Sequence, residues 1–377
     1  MLTPTERRRY NPAEACLRLA FFRFPICAMR FGLALLLCAH ISRAAEPADA
    51  TLTAQQQFRD AIARKAVALQ KKNISAFPGR EGWFFLTSEL RFLAQGRFWG
   101  DAAAKTAHSR KSESADPIPA ITDFNRQLKE RGIELLLVPV PAKAAIYPDK
   151  LGVESTSDAG SAAAPYLPQF YELLRARGVN VLDLSSFFAK EREHARGSVY
   201  CQTDSHWSGV GCMLAAQVIA ERIRDKIPPS QSPRNYSAEW KQAALVGDLI
   251  SLLPADVSRP QGEKISIRAI SQKSGGAPVQ ADTNSPLLLL GDSHTLVFHE
   301  FHAERGGLID QLAHELGFAP DLIGTRGSGA TAVRVSLYRK ARSDPAYLAK
   351  KKVVVWCLAA REFTEADQGW VVQPVAP

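Results

Sequence analysis

The stretch Leu287-Leu288-Leu289-Leu290-Gly291-Asp292-Ser293-His294-Thr295 runs from four consecutive leucines straight into a Gly-Asp-Ser turn. An apolar run without alternation suits a strand buried on both faces, as in a parallel sheet covered by helices. Residues 295–316 that follow have the length of a helix. A strand that turns sharply into a helix lifts Ser293 off the strand's carboxyl end and sets it beside helix N–H groups. Open α/β sheets gather their ligands at that edge. Ser and Asp are also good helix caps, so the stretch decides the fold before it decides the chemistry.

Outward from this unit the strand–helix rhythm repeats. Residues 119–131 read as a helix with a proline in its first turn, 133–140 as a buried strand, 167–177 as a helix and 179–182 as a strand. Helices are expected at 208–225 and 331–342, and a last strand at 352–357. The expected fold class is α/β, a three-layer α/β/α arrangement around a mostly parallel central sheet, over residues 79–377. Within it, residues 227–283 are rich in Pro and Ser and read as an insertion or a small β subregion. Residues 101–116 are polar and read as a mobile loop. Residues 45–78 form an N-terminal helical segment, with Phe58, Ile62, Ala66 and Leu69 at helical spacing.

The chain of 377 residues is 46% hydrophobic and 23% charged, as a globular protein with a large core requires. Its net charge is +9, but five of those charges belong to the first 44 residues, where seven arginines face Glu6 and Glu14. The remaining +4, with no basic stripe and no interleaved aromatics, excludes a nucleic-acid binder. Residues 31–41 are an apolar run preceded by Arg30 and followed by Ser42-Arg43-Ala44, a small-x-small cleavage pattern. Residues 1–44 are therefore expected to be a signal peptide or signal anchor, with the mature chain beginning near Ala45. Met29, directly before Arg30, points to a start there, with residues 1–28 upstream of it. Cys201 and Cys212 either pair around the motif described next or, with Cys357, pack as buried thiols.

A serine hydroxyl is a weak nucleophile and needs a base and an orienting acid. Tyr200-Cys201-Gln202-Thr203-Asp204-Ser205-His206-Trp207-Ser208 supplies both, since Asp-x-His brings carboxylate and imidazole together. The candidate catalytic residues are Ser293, His206 and Asp204. Weaker candidates for oxyanion or substrate binding are Arg326 and Gly329, in Gly324-Thr325-Arg326-Gly327-Ser328-Gly329, and Lys143 and Arg361. His299 and His302 lie three apart and could share a helix face, but with His294 and His314 they form neither HExxH nor a closed Cys/His set, so no metal is expected. No phosphate-cradling glycine loop is visible and no cofactor is expected.

Gly-Asp-Ser with Asp-x-His resembles the SGNH (GDSL-like) hydrolase superfamily. The order here, Asp204-x-His206-Trp207 before Gly291-Asp292-Ser293, resembles the alginate O-acetyltransferase family of AlgJ and AlgX type. Gly79-Arg80-Glu81-Gly82-Trp83-Phe84-Phe85-Leu86 and Leu137-Val138-Pro139-Val140-Pro141-Ala142-Lys143, followed by Ile146-Tyr147-Pro148, are similar too, so the likeness spans residues 79–362. With the chain ending at Pro377, the single-domain members are the expected match. The resemblance implies Ser293 as nucleophile, His206 as base and Asp204 as its partner. It implies O-acetylation of an exopolysaccharide such as alginate, in the periplasm or at the inner membrane, with a membrane-bound O-acyltransferase as acetyl donor and an anionic polymer as acceptor. Two alternatives stay open: a carbohydrate acetylesterase with the same three residues, and a non-catalytic polysaccharide-binding subunit of a secretion complex.

Overall fold

The computed structural model describes residues 47–153, 164–228 and 236–377; the expected export segment at 1–44 lies outside them. The leucine run forms β7 (Leu287–Gly291), every residue of it buried. The short strands β1 (Ala76–Pro78) and β2 (Phe84–Leu86) pair with each other, and around β7 stand β3 (Glu134–Val140), β4 (Asn180–Val181), β8 (Asp321–Gly324) and β9 (Val353–Ala359), in the order β4-β3-β9-β7-β8 with every pairing parallel. The last strand among the described residues is thus the middle strand of the sheet.

Both faces are covered, as continuous apolar strands demand. On one, the helices Pro117–Lys129 and Ala332–Ser343 meet at Trp356 of β9, which has Phe124 edge-on at 5.1 Å and the Arg334 guanidinium 5.2 Å from its ring centroid. Asp116 caps the first of these helices and Pro117 opens it, where a missing N–H costs nothing. The other face carries the helices Gly209–Ile223 and Leu308–Leu316, which pack on each other. These layers form one continuous apolar core.

The insertion is a long antiparallel hairpin, β5 (Tyr236–Leu245) with β6 (Glu263–Gln272). Buried Arg268 ties it to the second helical layer through Gln311 and Glu315, both at 2.7 Å. The N-terminal helix runs Pro47–Lys71 and buries Phe58, Ile62 and Ala66.

Two expectations need correction. Residues 101–116 are not structureless: they hold the short helical turns Gly100–Ala102, Ala103–Thr106 and Ser112–Ser114. They are fastened to the C-terminal segment by His108 N–H to the Thr364 carbonyl and by Arg110 with Asp367, both at 2.7 Å. The single helix expected over 295–316 is two helices, Ser293–Leu296 and Leu308–Leu316, separated by an irregular loop.

Candidate active site

The carboxyl ends of β3, β9, β7 and β8 stand side by side, because Val140 pairs with Ala359 and Gly291 with both Cys357 and Gly324. Strand β7 gives way directly to the helix Ser293–Leu296, capped by Asp292. Oδ1 of Asp292 accepts the His294 N–H at 2.9 Å, and Oδ2 accepts the Ala359 N–H at 2.7 Å, fastening the serine turn to the end of β9. Gly291 is required there, since a Cβ would lie 2.1 Å from the Cys357 carbonyl oxygen.

His206 arrives from the loop before the helix Gly209–Ile223. Tyr200 and Trp207 bridge the base of that loop, and Ser208 caps the helix. His206 Nε2 lies 2.7 Å from Ser293 Oγ, and Nδ1 lies 2.6 Å from Asp204 Oδ1. The loop turns so that the His206 N–H also donates to Asp204 Oδ1, at 3.0 Å, rather than running extended. Asp204 is fully buried, and its Oδ2 accepts the Asp248 N–H at 2.8 Å and faces His302 Nε2 at 3.0 Å. Burial alone would raise its proton affinity. Hydrogen bonds from His206, His302 and the Asp248 backbone outweigh that and hold the carboxyl well below the usual range. An ionised Asp204 only accepts, so His206 carries a proton on Nδ1, and the neutral ring then presents Nε2 as an acceptor to the Ser293 hydroxyl.

The Asp204 loop is clamped from the insertion and from β3. The Glu263 carboxylate accepts the Gln202 and Thr203 N–H groups, at 2.9 and 2.7 Å. Asp248 accepts the Ser205 N–H and hydroxyl, at 2.7 and 2.6 Å. Gly247 lets the insertion approach so closely that a Cβ there would sit 2.1 Å from the Thr203 carbonyl oxygen. Lys143 donates to the Gln202 and Asp204 carbonyls, at 3.0 and 2.9 Å. It is 1% exposed beneath Trp83 and Phe85, and burial lowers its proton affinity. A sugar-binding role for Lys143 is thereby corrected to a buried brace.

The other candidates scatter. Arg326 is exposed at the end of β8, its guanidinium 4.7 Å from the Phe301 ring centroid, and Phe301 stands edge-on to His206 at 5.8 Å. Gly329 is buried against Asp292 and accepts Trp356 Nε1–H at 3.0 Å. Arg361 is half-buried after β9; burial opposes its charge, but Glu89, then Glu362, Asp292 and Asp248, favour it more strongly. Trp83 packs in the core. Cys201, Cys212 and Cys357 are free and buried, so Cys201 and Cys212 form no disulfide. The four neighbouring histidines pair with four different carboxylates: His294 with Asp292, His299 with Asp310, His302 with Asp204 and His314 with Glu315. Among the described residues only Asp204, His206 and Asp248 cluster as metal ligands would, and their donor atoms are engaged in the hydrogen bonds above.

Sequence reasoning missed Asp248, Glu263 and the pairing of His302 with Asp204. Asp248 acts on Asp204 through a backbone N–H, which any residue carries. His302 was concealed by its apparent place in a helix.

Residues 76–359 match a family model described as SGNH hydrolase-like domain, acetyltransferase AlgX. A probable alginate O-acetylase AlgJ of Pseudomonas putida is 27% identical over 311 residues, 78% of this chain and 73% of the relative. That of Pseudomonas syringae pv. tomato is 25% identical over 58% of this chain, which spans about half, 53%, of the relative's length. Among solved structures, the O-acetyltransferase domain of Pseudomonas putida AlgJ superposes with a TM-score of 0.58 at 24% identity, over 77% of this chain and 92% of that one. Pseudomonas aeruginosa AlgX gives 0.53 at 15% identity, over 77% and 66%. These superpositions show a shared fold.

Proposed function

The chain belongs to the SGNH hydrolase-like acetyltransferase family on that match, and we propose that it moves acetyl groups onto hydroxyls of an exopolysaccharide through an acetyl-Ser293 intermediate. One observation carries the mechanism: Ser293 Oγ, His206 and Asp204 are linked end to end at 2.7 and 2.6 Å. His206 Nε2 takes the hydroxyl proton as Ser293 Oγ attacks the acetyl carbonyl, and returns it to the departing donor oxygen. A sugar hydroxyl then gives its proton to Nε2 and attacks the ester, and Ser293 leaves with that proton. Asp204 stays ionised and stabilises the imidazolium in each half. The Ser293 N–H, at the start of its helix, and the Gly329 N–H beside Asp292 are the proposed oxyanion donors.

Exposed Arg326, one aromatic ring away from His206, is the proposed contact for a carboxylate on the acceptor, so an anionic, alginate-like polymer is the preferred substrate. The proposed location is the periplasm, supported by the apolar run at 31–41 and its cleavage pattern, with association at the inner membrane. There a membrane-bound O-acyltransferase would supply the acetyl group. Among the described residues no helix is long and apolar enough to cross a membrane.

The test is mass spectrometry after brief exposure to an activated acetyl ester. A single acetyl group on the peptide containing Ser293, absent from Ser293→Ala, is expected; an unlabelled wild-type protein would overturn the mechanism. Offering mannuronate and cello-oligosaccharides side by side tests the acceptor. Equal transfer would leave the acyl-enzyme standing and remove the alginate preference.

A further inference from the structure

Asp204 has two working oxygens, and only one faces His206. The other faces His302 Nε2 at 3.0 Å. His302 reaches it from the loop between the helices Ser293–Leu296 and Leu308–Leu316, where Phe298, His302 and Arg305 adopt positive φ angles of 61°, 69° and 69°. Side-chain-bearing residues avoid that region, bulky ones most of all, and such strain persists only where the surroundings over-determine it. They do so here. The Phe298 ring is fully buried, its N–H donates to the Phe301 carbonyl at 2.9 Å, and its carbonyl accepts the Gly306 N–H at 2.8 Å. The Arg305 carbonyl accepts the Ile270 N–H of β6 at 2.8 Å. The packing thus imposes a backbone that aims one imidazole at Asp204.

We propose that His302 is a positioning residue that tunes the base: it fixes the outer oxygen of Asp204 and, when it carries a proton, offsets part of the negative charge that makes His206 basic. This rests on the reading of Asp204, His206 and Ser293 given above. The charged groups facing His302 are Asp204 and Asp248, which favour its protonated form, and Arg326, which opposes it; Phe298 and Phe301 contribute rings only. The hydrogen bond to Asp204 is the largest influence and raises its proton affinity, with partial burial working against it. His206 in turn faces Asp204, Asp248 at 3.9 Å and the His294 ring at 4.8 Å. The His302 side chain is 22% exposed, so it exchanges protons with solvent while Asp204 remains sealed. With His302 charged, an imidazolium at His206 is less favoured, and the base stays free at lower pH.

His302→Gln keeps a donor near the Nε2 position and removes the charge; His302→Ala removes both. The acid limb of the kcat/KM–pH profile is expected to move to higher pH by about half a unit or more in both variants. Plateau turnover should fall about tenfold in His302→Ala, and Gln should restore it without restoring the limb. The same coupling is read without catalysis by NMR titration of the His206 ring in Ser293→Ala protein, with and without His302→Gln. His206 should titrate at higher pH in the double variant. An unchanged His206 titration would overturn the inference, whereas a shifted titration together with wild-type protein that stays unlabelled by the activated acetyl ester would uphold the coupling and sink the acyl-enzyme instead.

Discussion

Residues 204–206 and 292–294 spell the same tripeptide, Asp-Ser-His, and share one local hydrogen-bond pattern, the first in a loop and the second at a helix start. In both, the histidine N–H donates to its own aspartate Oδ1, at 3.0 and 2.9 Å, and the imidazole Nδ1 faces that oxygen, at 2.6 and 3.1 Å. The outcomes are opposite. His206 turns Nε2 onto a serine, while His294 is 2% exposed and burial lowers its proton affinity. Ser293 Oγ lies 2.7 Å from an imidazole nitrogen, whereas Ser205 donates its hydroxyl to Asp248. The second oxygen of Asp204 meets an insertion N–H and an imidazole; that of Asp292 meets a strand end. The turn is written locally, and the use made of it is assigned by whatever packs against the second oxygen and the serine.

The largest expected effect separates the two serines. Ser293→Ala should lower acetyl-ester turnover by roughly 10⁴–10⁶-fold, as loss of a nucleophile does, while Ser205→Ala should cost less than about tenfold. Comparable losses in an ester-hydrolysis assay would break the contrast.

The aspartates come next. Asp204→Asn should reduce turnover about 10⁴-fold through a misoriented imidazole, with the protein still folded by circular dichroism. Asp292→Asn should appear first as lost stability, about 1–3 kcal/mol in denaturant unfolding, because the Ala359 N–H loses a charged acceptor. An Asp292→Asn protein of undiminished stability but no activity would show that the second tripeptide shares in the chemistry.

Lys143→Met tests the brace under the first tripeptide. The buried Asp204 carbonyl loses its donor, at ~1–3 kcal/mol, while the Gln202 carbonyl keeps the Phe84 N–H at 2.9 Å, so melting temperature and turnover should fall together. Arg326→Ala should leave the melting temperature unchanged and lower only transfer to an anionic acceptor.

The smallest effect lies behind the second tripeptide. Burial, aided by the charge of Asp292, lifts Glu362 from its ordinary 4.5 to about 7, and Ser328 donates to it. Between those values the folded protein holds a proton that the unfolded chain releases, so this group's contribution to stability declines as pH rises through that window. Glu362→Gln should therefore raise the melting temperature at pH 8 relative to wild type and change it little at pH 4. A uniform shift at both pH values would remove the titration from the explanation.

The contrast also explains what could be read from the sequence. Unbroken apolar runs such as 287–290 and 353–357 have few places to go except a covered parallel sheet, so the layers, the edge carrying Ser293 and its pairing with Asp204 and His206 were legible. Residues 296–301 imitate a helix in their apolar spacing. The helix does not continue because the residues after them are held elsewhere, Arg305 by β6 and His302 by Asp204, which no local pattern records. Lys143 reads as exposed because lysines usually are; its burial depends on Trp83, Phe85 and two distant carbonyls. Asp248 was invisible because its backbone N–H and its carboxylate reach Asp204 and Ser205 from an insertion whose sequence shows only that it interrupts the rhythm.

The sheet order has a consequence for synthesis. Strand β9 is the last of the five strands of this sheet to be made, yet it forms seven residue pairs with β3 and five with β7, which do not pair with each other. Its arrival therefore closes the longest loop within the sheet, and loop closure of this kind is slow. A chain released before residue 353 would carry Asp204, His206 and Ser293 but lack the strand against which both halves of the sheet are registered.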